Sequence, residues 1–300
     1  MNKIPEYISL NESNQLSLQW YGGPTELKIN DLHLNVYRGY GLGANMFHLF
    51  HQIVELKAFN LVPTKITSLL TEFKNYDLYK NIFYKNEDKF QQWLKADSSI
   101  AMDFRNKVPK TFYGFGHHKE EIISRIDYFT LVLNTFFNFK DYIIDRANKI
   151  ITMHNIDLNN TTFVWWRKGN KVTEILDYPE FSFVQKYINS NHTHILQTED
   201  TNVLEEFKFL PNLKNLDILP IFVPTTNVDA EMNSLSEEHY REKYGKEYFD
   251  FIPDTFALVL VASRCKRFLG FPGHLSQLVC ILRRDFDKNA YIFKNSKELF

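Results

Sequence analysis

Phe163-Val164-Trp165-Trp166-Arg167-Lys168-Gly169-Asn170-Lys171-Val172-Thr173-Glu174 decides how the rest of the chain is read. Thr161 to Trp166 is β-branched and aromatic, the composition of a buried strand. Three cations, Arg167, Lys168 and Lys171, then fall within five residues around Gly169-Asn170, a turn signal. A strand that runs out into such a turn carries its cations to the carboxyl edge of the sheet, where open α/β sheets bind ligands. Arg167 offers planar, paired donors suited to phosphate oxygens, and a neighbouring lysine adds a point charge. The competing reading is a strand followed by a solvated basic turn, and the choice depends on the remainder of the chain.

Downstream, strands and helices alternate. A helix is expected near Pro179–Ile188, a strand at His194–Gln197, and then Thr198-Glu199-Asp200 leading into a helix at Asn202–Phe209. Strands are expected at Asp217–Val223 and Phe256–Ala262, separated by a Glu- and Tyr-rich insertion at Asn227–Phe251. Phe268-Leu269-Gly270-Phe271-Pro272-Gly273-His274 precedes a helix at Leu275–Arg283. Such alternation predicts a parallel sheet with crossover helices.

Upstream, residues 1–30 read as short irregular strands with a turn at Tyr21-Gly22-Gly23-Pro24. His33–Tyr37 alternates as a strand and runs into Arg38-Gly39-Tyr40-Gly41-Leu42-Gly43-Ala44-Asn45. An apolar face at helical spacing follows, from Met46 to about Asn60. Strand, glycines at alternate positions, then helix is an arrangement that lets backbone amides and a helix dipole approach an anion. The spacing is not the full dinucleotide fingerprint. Amphipathic stretches lie around Leu69–Tyr79 and Phe90–Leu94, and Phe112–His118 is an aromatic loop that suits either a sugar pocket or a buried turn. Lys119 to about His154 reads as one or two helices closing the first half. The polar run Asn155–Asn160 sets the domain boundary, giving domains 1–155 and 156–300.

The chain has 300 residues, 44% apolar and 24% charged, the profile of a globular protein with one large core or two domains. A net charge near −1 excludes the broad basic surface of a general nucleic-acid binder. With 27 Phe and 16 Tyr, the aromatics suit a filled core and sugar-stacking platforms equally. Only Cys265 and Cys280 occur, no signal run opens the chain, and no stretch of about 18 apolar residues exists; the expectation is a cytoplasmic, reduced protein without a membrane span. His48 and His51 are three apart on the expected helix, and His117-His118 and His192-x-His194 are close pairs. None has the further ligands a zinc site needs, so no metal is expected.

Four landmarks occur in order: Gly39–His48; Trp165–Glu174; the strand, Thr-Glu-Asp and helix of His194–Phe207; and the Gly-Phe-Pro-Gly-His-Leu-Ser turn ending at Ser276. In order and spacing they resemble the fucosyltransferase superfamily of the α1,6-fucosyltransferases, nodulation fucosyltransferases and protein O-fucosyltransferases, with the α1,6 branch the nearer match. The resemblance implies a GT-B fold, two Rossmann-like domains facing across a cleft, the first on the acceptor side and the second holding the nucleotide sugar. It implies inverting transfer of fucose from GDP-fucose to a glycan hydroxyl with no cofactor and no metal. Arg167 then takes the place of the pyrophosphate arginine, Glu174 that of the general base and Lys171 that of its neighbour. Gly41, Gly43, Asn45, Trp165, Lys168, Asp200, Gly273, His274 and Ser276 become donor-binding candidates.

Read from the residues alone, Glu174 is equally a helix N-terminal acid, and Asp200 suits a cap for the helix that follows better than a nucleotide contact. The departures from the family pattern are Trp165 for His, Lys168 for the second Arg and Asn170 for Asp. They leave open another nucleotide sugar, or a protein on the same scaffold that binds a donor without turning it over. A dinucleotide-dependent oxidoreductase is disfavoured by the glycine spacing and by the position of the strongest cationic turn in the other half.

Overall fold

The structure, a computed structural model, describes residues 8–10, 15–20, 23–28, 33–38, 42–58, 61–63, 65–70, 76–101, 126–166, 181–198, 201–216, 218, 249–270, 273–284, 288–293 and 299. Arg167, Lys168, Lys171, Glu174, Gly41 and Asp200 lie outside the described residues, as do the aromatic run Phe112–His118 and nearly all of the insertion at 227–251. The chain divides into two compact units, Met1–Lys140 and Asp141–Phe300.

In the first unit, β1 (Ile8–Leu10), β2 (Gln15–Trp20), β3 (Gly23–Lys28), β4 (His33–Arg38), β5 (Lys65–Leu70) and β6 (Tyr76–Asp77) form one sheet in chain order. Only β4 and β5 are parallel within it, with α1 (Leu42–Ala58) between them in sequence. All other pairings in this sheet are antiparallel. The Rossmann-like pattern expected of the whole domain is therefore confined to β4–α1–β5. The cause is chain length: a parallel pair needs a crossover of about a dozen residues or more, and the links among β1 to β4 are too short for one.

The amphipathic stretch around Leu69–Tyr79 is not one element but the end of β5, β6 and the start of α2 (Leu78–Ile82). Asp77 makes this turn. Its Oδ1 accepts from Lys80 N at 3.0 Å, capping α2, and from Ser68 N at 3.2 Å, tying the cap to β5. After β7 (Phe83–Tyr84), α3 (Glu87–Lys95) opens on Asn86, whose Oδ1 accepts from Lys89 N at 3.0 Å. α4 (Ile126–Phe136) follows, and β8 (Asn138–Phe139) pairs antiparallel with β7. Here the phenylalanines fill the core. Phe50 stacks on Phe129 at 5.3 Å, Phe83 meets Phe137 edge-on at 5.4 Å, and Trp93 of α3 meets Phe136 of α4 edge-on at 4.9 Å.

The second unit begins with α5 (Asp141–Met153), which the sequence reading places at the end of the first half. Its allegiance follows from Arg146. That guanidinium donates to Asp254 Oδ1 at 2.7 Å and Asp250 Oδ1 at 3.1 Å, fastening α5 to the start of α8 (Phe251–Arg264). At the other end of the pair, Arg264 donates to Asn148 Oδ1 at 2.8 Å. Between α5 and α8 come β9 (Thr161–Trp166), α6 (Phe181–Gln185), β10 (Thr193–Thr198), α7 (Thr201–Phe207) and β11 (Leu213–Asn215). β12 (Arg267–Gly270), α9 (His274–Arg283) and β13 (Ala290–Ile292) complete the unit.

The five strands form an all-parallel sheet in the order β11-β10-β9-β12-β13. One face presents Val164, Trp166, Leu196 and Leu269 to Val184, Val203, Phe207 and Phe293. Trp166 lies 4.7 Å from Phe207 and 5.8 Å from Phe293. Strand alternation turns Phe163, Trp165, Ile195, Phe268 and Gly270 to the opposite face. β9 is buried along its whole length, as its composition predicts.

One expectation fails in this unit. Phe256–Ala262 is not a strand but the middle of α8, which is buried on nearly every side. A helix with no polar stripe has no helical signature, and a short apolar, β-branched run then reads as a strand. Leu213–Asn215 forms a strand that the sequence does not announce, while the strand expected at Asp217–Val223 lies, save for Ile218, outside the described residues. β11 is short, flanked by asparagines and entered through Asn212 at φ 53°, so it carries little strand signal.

Candidate functional site at the carboxyl edge

Strand order locates the site. The chain steps from β9 outward to β10 and β11, then returns to the other flank of β9 to lay down β12 and β13. The reversal falls between β9 and β12, and in open parallel sheets ligands bind outside the carboxyl ends at such a point. The register brings the three relevant ends level: Trp166 pairs with Thr198, and Trp165 with both Gln197 and Gly270. Arg167 is the next residue after β9, Asp200 lies two beyond β10, and Gly273, His274 and Ser276 open the helix after β12. The topology thus brings the chain exits that lead to these candidates to one edge.

Gly273 is the N-cap of α9 and makes no side-chain cap bond. Its backbone is extended, φ −162° and ψ 156°, and a Cβ built there would meet nothing within 4 Å. Its glycine character is thus required by neither packing nor backbone strain, and it leaves open space at the helix start. Ser276, one turn in, is buried, and its Oγ lies 3.1 Å from where a Gly270 Cβ would stand. Gln277 follows, 0% exposed, and neither Oε1 nor Nε2 of its amide has a hydrogen-bond partner. A buried amide carrying both a donor and an acceptor normally has partners, so an orphan at this edge is informative. The sequence reading passed over Gln277; the available signal was one amide in the apolar run Leu275–Ile281.

Both tryptophans are interior. Trp165 is 5% exposed and lies 5.9 Å from Phe163, and Trp166 is 2% exposed within the aromatic cluster on the other face. Gly43 and Asn45, both buried, lie in the first turn of α1 after β4, at the corresponding edge of the one parallel pair in the first unit.

The opposite edge holds the histidine pair. Thr162 pairs with Arg267 on one side and His194 on the other. His194 Nδ1 donates to Pro211 O at 2.7 Å, while its buried Nε2 has no partner. His192 Nδ1 lies 2.9 Å from Thr162 Oγ1, and Arg267 donates to Tyr187 O at 3.2 Å. Burial holds the pKa of both rings below the ordinary value of 6.5; Arg267, His194 and Lys266 lower His192 further, whereas the Pro211 bond opposes the effect on His194. These histidines are packed within the fold. Among the described residues no group of three or more His, Cys, Asp or Glu is placed to hold a metal ion. Cys265 and Cys280 are buried and form no disulfide, and burial pushes the Cys265 thiol up to about 12. Among the described residues no helix is long and apolar enough to cross a membrane.

No protein-family model matches the chain, and no curated protein sequence matches it. Solved structures similar to it include the NodZ α-1,6-fucosyltransferase soaked with GDP-fucose, at TM-score 0.48 and 12% identity over 89% of this chain and 97% of that one. The same enzyme co-crystallised with GDP gives TM-score 0.46 at 12% identity over 89% and 96%. Selenomethionine NodZ from Bradyrhizobium gives 0.45 at 11% identity, again over 89% and 96%.

Proposed function

We propose that the protein is a glycosyltransferase of the GT-B class that transfers a sugar from a GDP-activated donor, fucose first among the candidates, to a glycan hydroxyl. The observation that carries this reading is the strand-order reversal beside β9: it sets the exit leading to Arg167 alongside the exit leading to Gly273 and α9. A diphosphate at that edge meets a guanidinium from one side and a helix start from the other. In the reaction the acceptor oxygen attacks the anomeric carbon while the bond from that carbon to the phosphate oxygen breaks. GDP leaves with the electron pair, and the acceptor proton passes to the Glu174 carboxylate. Inversion follows from this single displacement.

Arg167 and Lys168 stabilise the charge that develops on the leaving diphosphate, without a metal. Lys171 keeps Glu174 ionised, so the base acts through its position rather than a raised pKa. Gly273, His274, Ser276 and Asp200 line the donor side. Buried thiols that form no disulfide suit a cytoplasmic enzyme. The test is a calorimetric titration with GDP, UDP, CMP and their sugars, followed by donor turnover with a glycan panel. GDP binding with fucose transfer is expected; selective UDP or CMP binding would reassign the donor, and absence of nucleotide binding would remove the reading.

A second reading, a donor-binding protein without turnover, is favoured by one observation. The position where the resembled family has a histidine is here a tryptophan buried on Phe163, which offers a ligand little polar contact. It predicts GDP binding with neither transfer nor donor hydrolysis.

A further inference from the structure

Gly270 ends β12 at the strand-order reversal, in register with Trp165. Its backbone is not left-handed, so conformational freedom is not the reason for glycine there. The reason is space. A Cβ at this position would stand 2.8 Å from Phe268 Cζ, 2.9 Å from Phe268 Cε1 and 3.1 Å from Ser276 Oγ, and the two ring contacts are closer than real Cβ atoms come. The Phe268 ring is fully buried and has no free direction in which to retreat. The far end of α9 is also held. Arg283 donates to Ala262 O at 3.3 Å, Lys266 O at 3.0 Å and Cys265 O. A side chain at 270 must therefore move the Phe268 ring and also crowds Ser276 Oγ, by a few tenths of an ångström, in the first turn of α9. Three residues on, a Cβ at Gly273 would meet nothing.

We infer that Gly270 is a positioning residue for the carboxyl-edge site: by having no side chain it seats Ser276, and with it the start of α9, against the end of β12 beside the exit of β9. This rests on the reading of that edge as a nucleoside-diphosphate site. Small displacements there are costly, because donors aimed at a phosphate act only at their proper distance.

The experiment uses the full chain with GDP as probe, measuring melting temperature and GDP affinity for wild type, Gly270→Ala and Gly270→Ala with Phe268→Leu. The leucine removes both ring atoms nearest the new methyl but leaves its contact with Ser276 Oγ. Gly270→Ala is expected to lower the melting temperature and weaken GDP binding tenfold or more. The double variant is expected to recover melting temperature while GDP binding stays weak; it also serves if the single variant does not fold. GDP affinity equal to wild type in a folded variant, or affinity that returns in step with stability, overturns the positioning role while leaving the diphosphate site standing. Failure of the wild type to bind GDP removes both.

Discussion

The two edges of the five-stranded sheet are built for different tasks. At the amino edge the polar groups are mostly engaged: Arg267 holds Tyr187 O, His194 holds Pro211 O, His192 meets Thr162, and Lys266 N donates to Leu158 O at 2.7 Å. The carboxyl edge, one strand length away, has a glycine facing open space and a buried amide with nothing to bond. Most buried polar atoms in a fold are paired, so an amide with both its donor and its acceptor unspent, beside open space, has the capacity to bond a ligand group. The difference teaches that charge count alone does not identify a site in such a sheet. Open space at Gly273 is what tells the edges apart, since an unpaired buried atom also occurs at the amino edge in His194 Nε2.

That contrast can be broken in graded ways. The largest effect is expected from Arg167→Ala: a fall in turnover of about 100- to 1,000-fold with weakened GDP binding, while circular dichroism and melting stay near wild type. Unchanged turnover would show that the carboxyl edge is not where the chemistry occurs. Next, Glu174→Gln is expected to lower turnover by about 100-fold or more with GDP affinity spared; a loss of affinity alone identifies it as a structural acid. Arg283→Met, far from the open edge, is expected to cost about 2–3 kcal/mol of stability by stripping the carbonyls at the end of α8. Its GDP affinity at a temperature where it is folded is expected to match wild type, and a matched loss of binding would blur the division between the edges.

Gln277→Met sharpens the comparison more finely. Replacing an orphan amide with an apolar side chain of similar length is expected to raise stability by about 1 kcal/mol and to weaken GDP binding. A destabilised variant would mean the amide has a partner after all. The smallest effect is the response to acid. His192 and His194 have folded pKa values depressed below 6.5, so the folded state binds fewer protons than the unfolded one. Their contribution is intact above about pH 6.5 and declines as pH falls toward the folded values. A melting temperature for the second unit that drops below pH 6.5, and drops less in His194→Phe, is the expected result. A flat profile to pH 5 would remove the cost assigned to these rings.

Much of the second unit is legible in the chain because its strands announce themselves. Thr161–Trp166 and His194–Gln197 are strand runs closed by turn residues, and Gly273 marks the start of the last helix, whereas Phe268–Gly270 reads only as the run leading into that helix and not as the strand it forms. The failures share a cause. The fully apolar α8, the short β11 and the allegiance of α5 are all settled by contacts with distant residues, such as Arg146 with Asp250 and Asp254. Of the site, the exits of β9 and β10 could be read in advance, since they follow from where those strands end, whereas the exit of β12 could not. The close seat at Gly270, the open space at Gly273 and the unpaired Gln277 could not, because each is a statement about neighbours in space.

β9 is completed from both directions of the chain. Its partner on one flank, β10, is made soon after it, whereas β12 on the other flank arrives only about a hundred residues later. During synthesis this fully buried strand thus spends an interval with one row of backbone hydrogen-bonding groups bare, an invitation to pairing with other chains. Versions of this protein that stop before Arg267 are expected to be found in aggregates rather than in solution, whatever nucleotide is supplied.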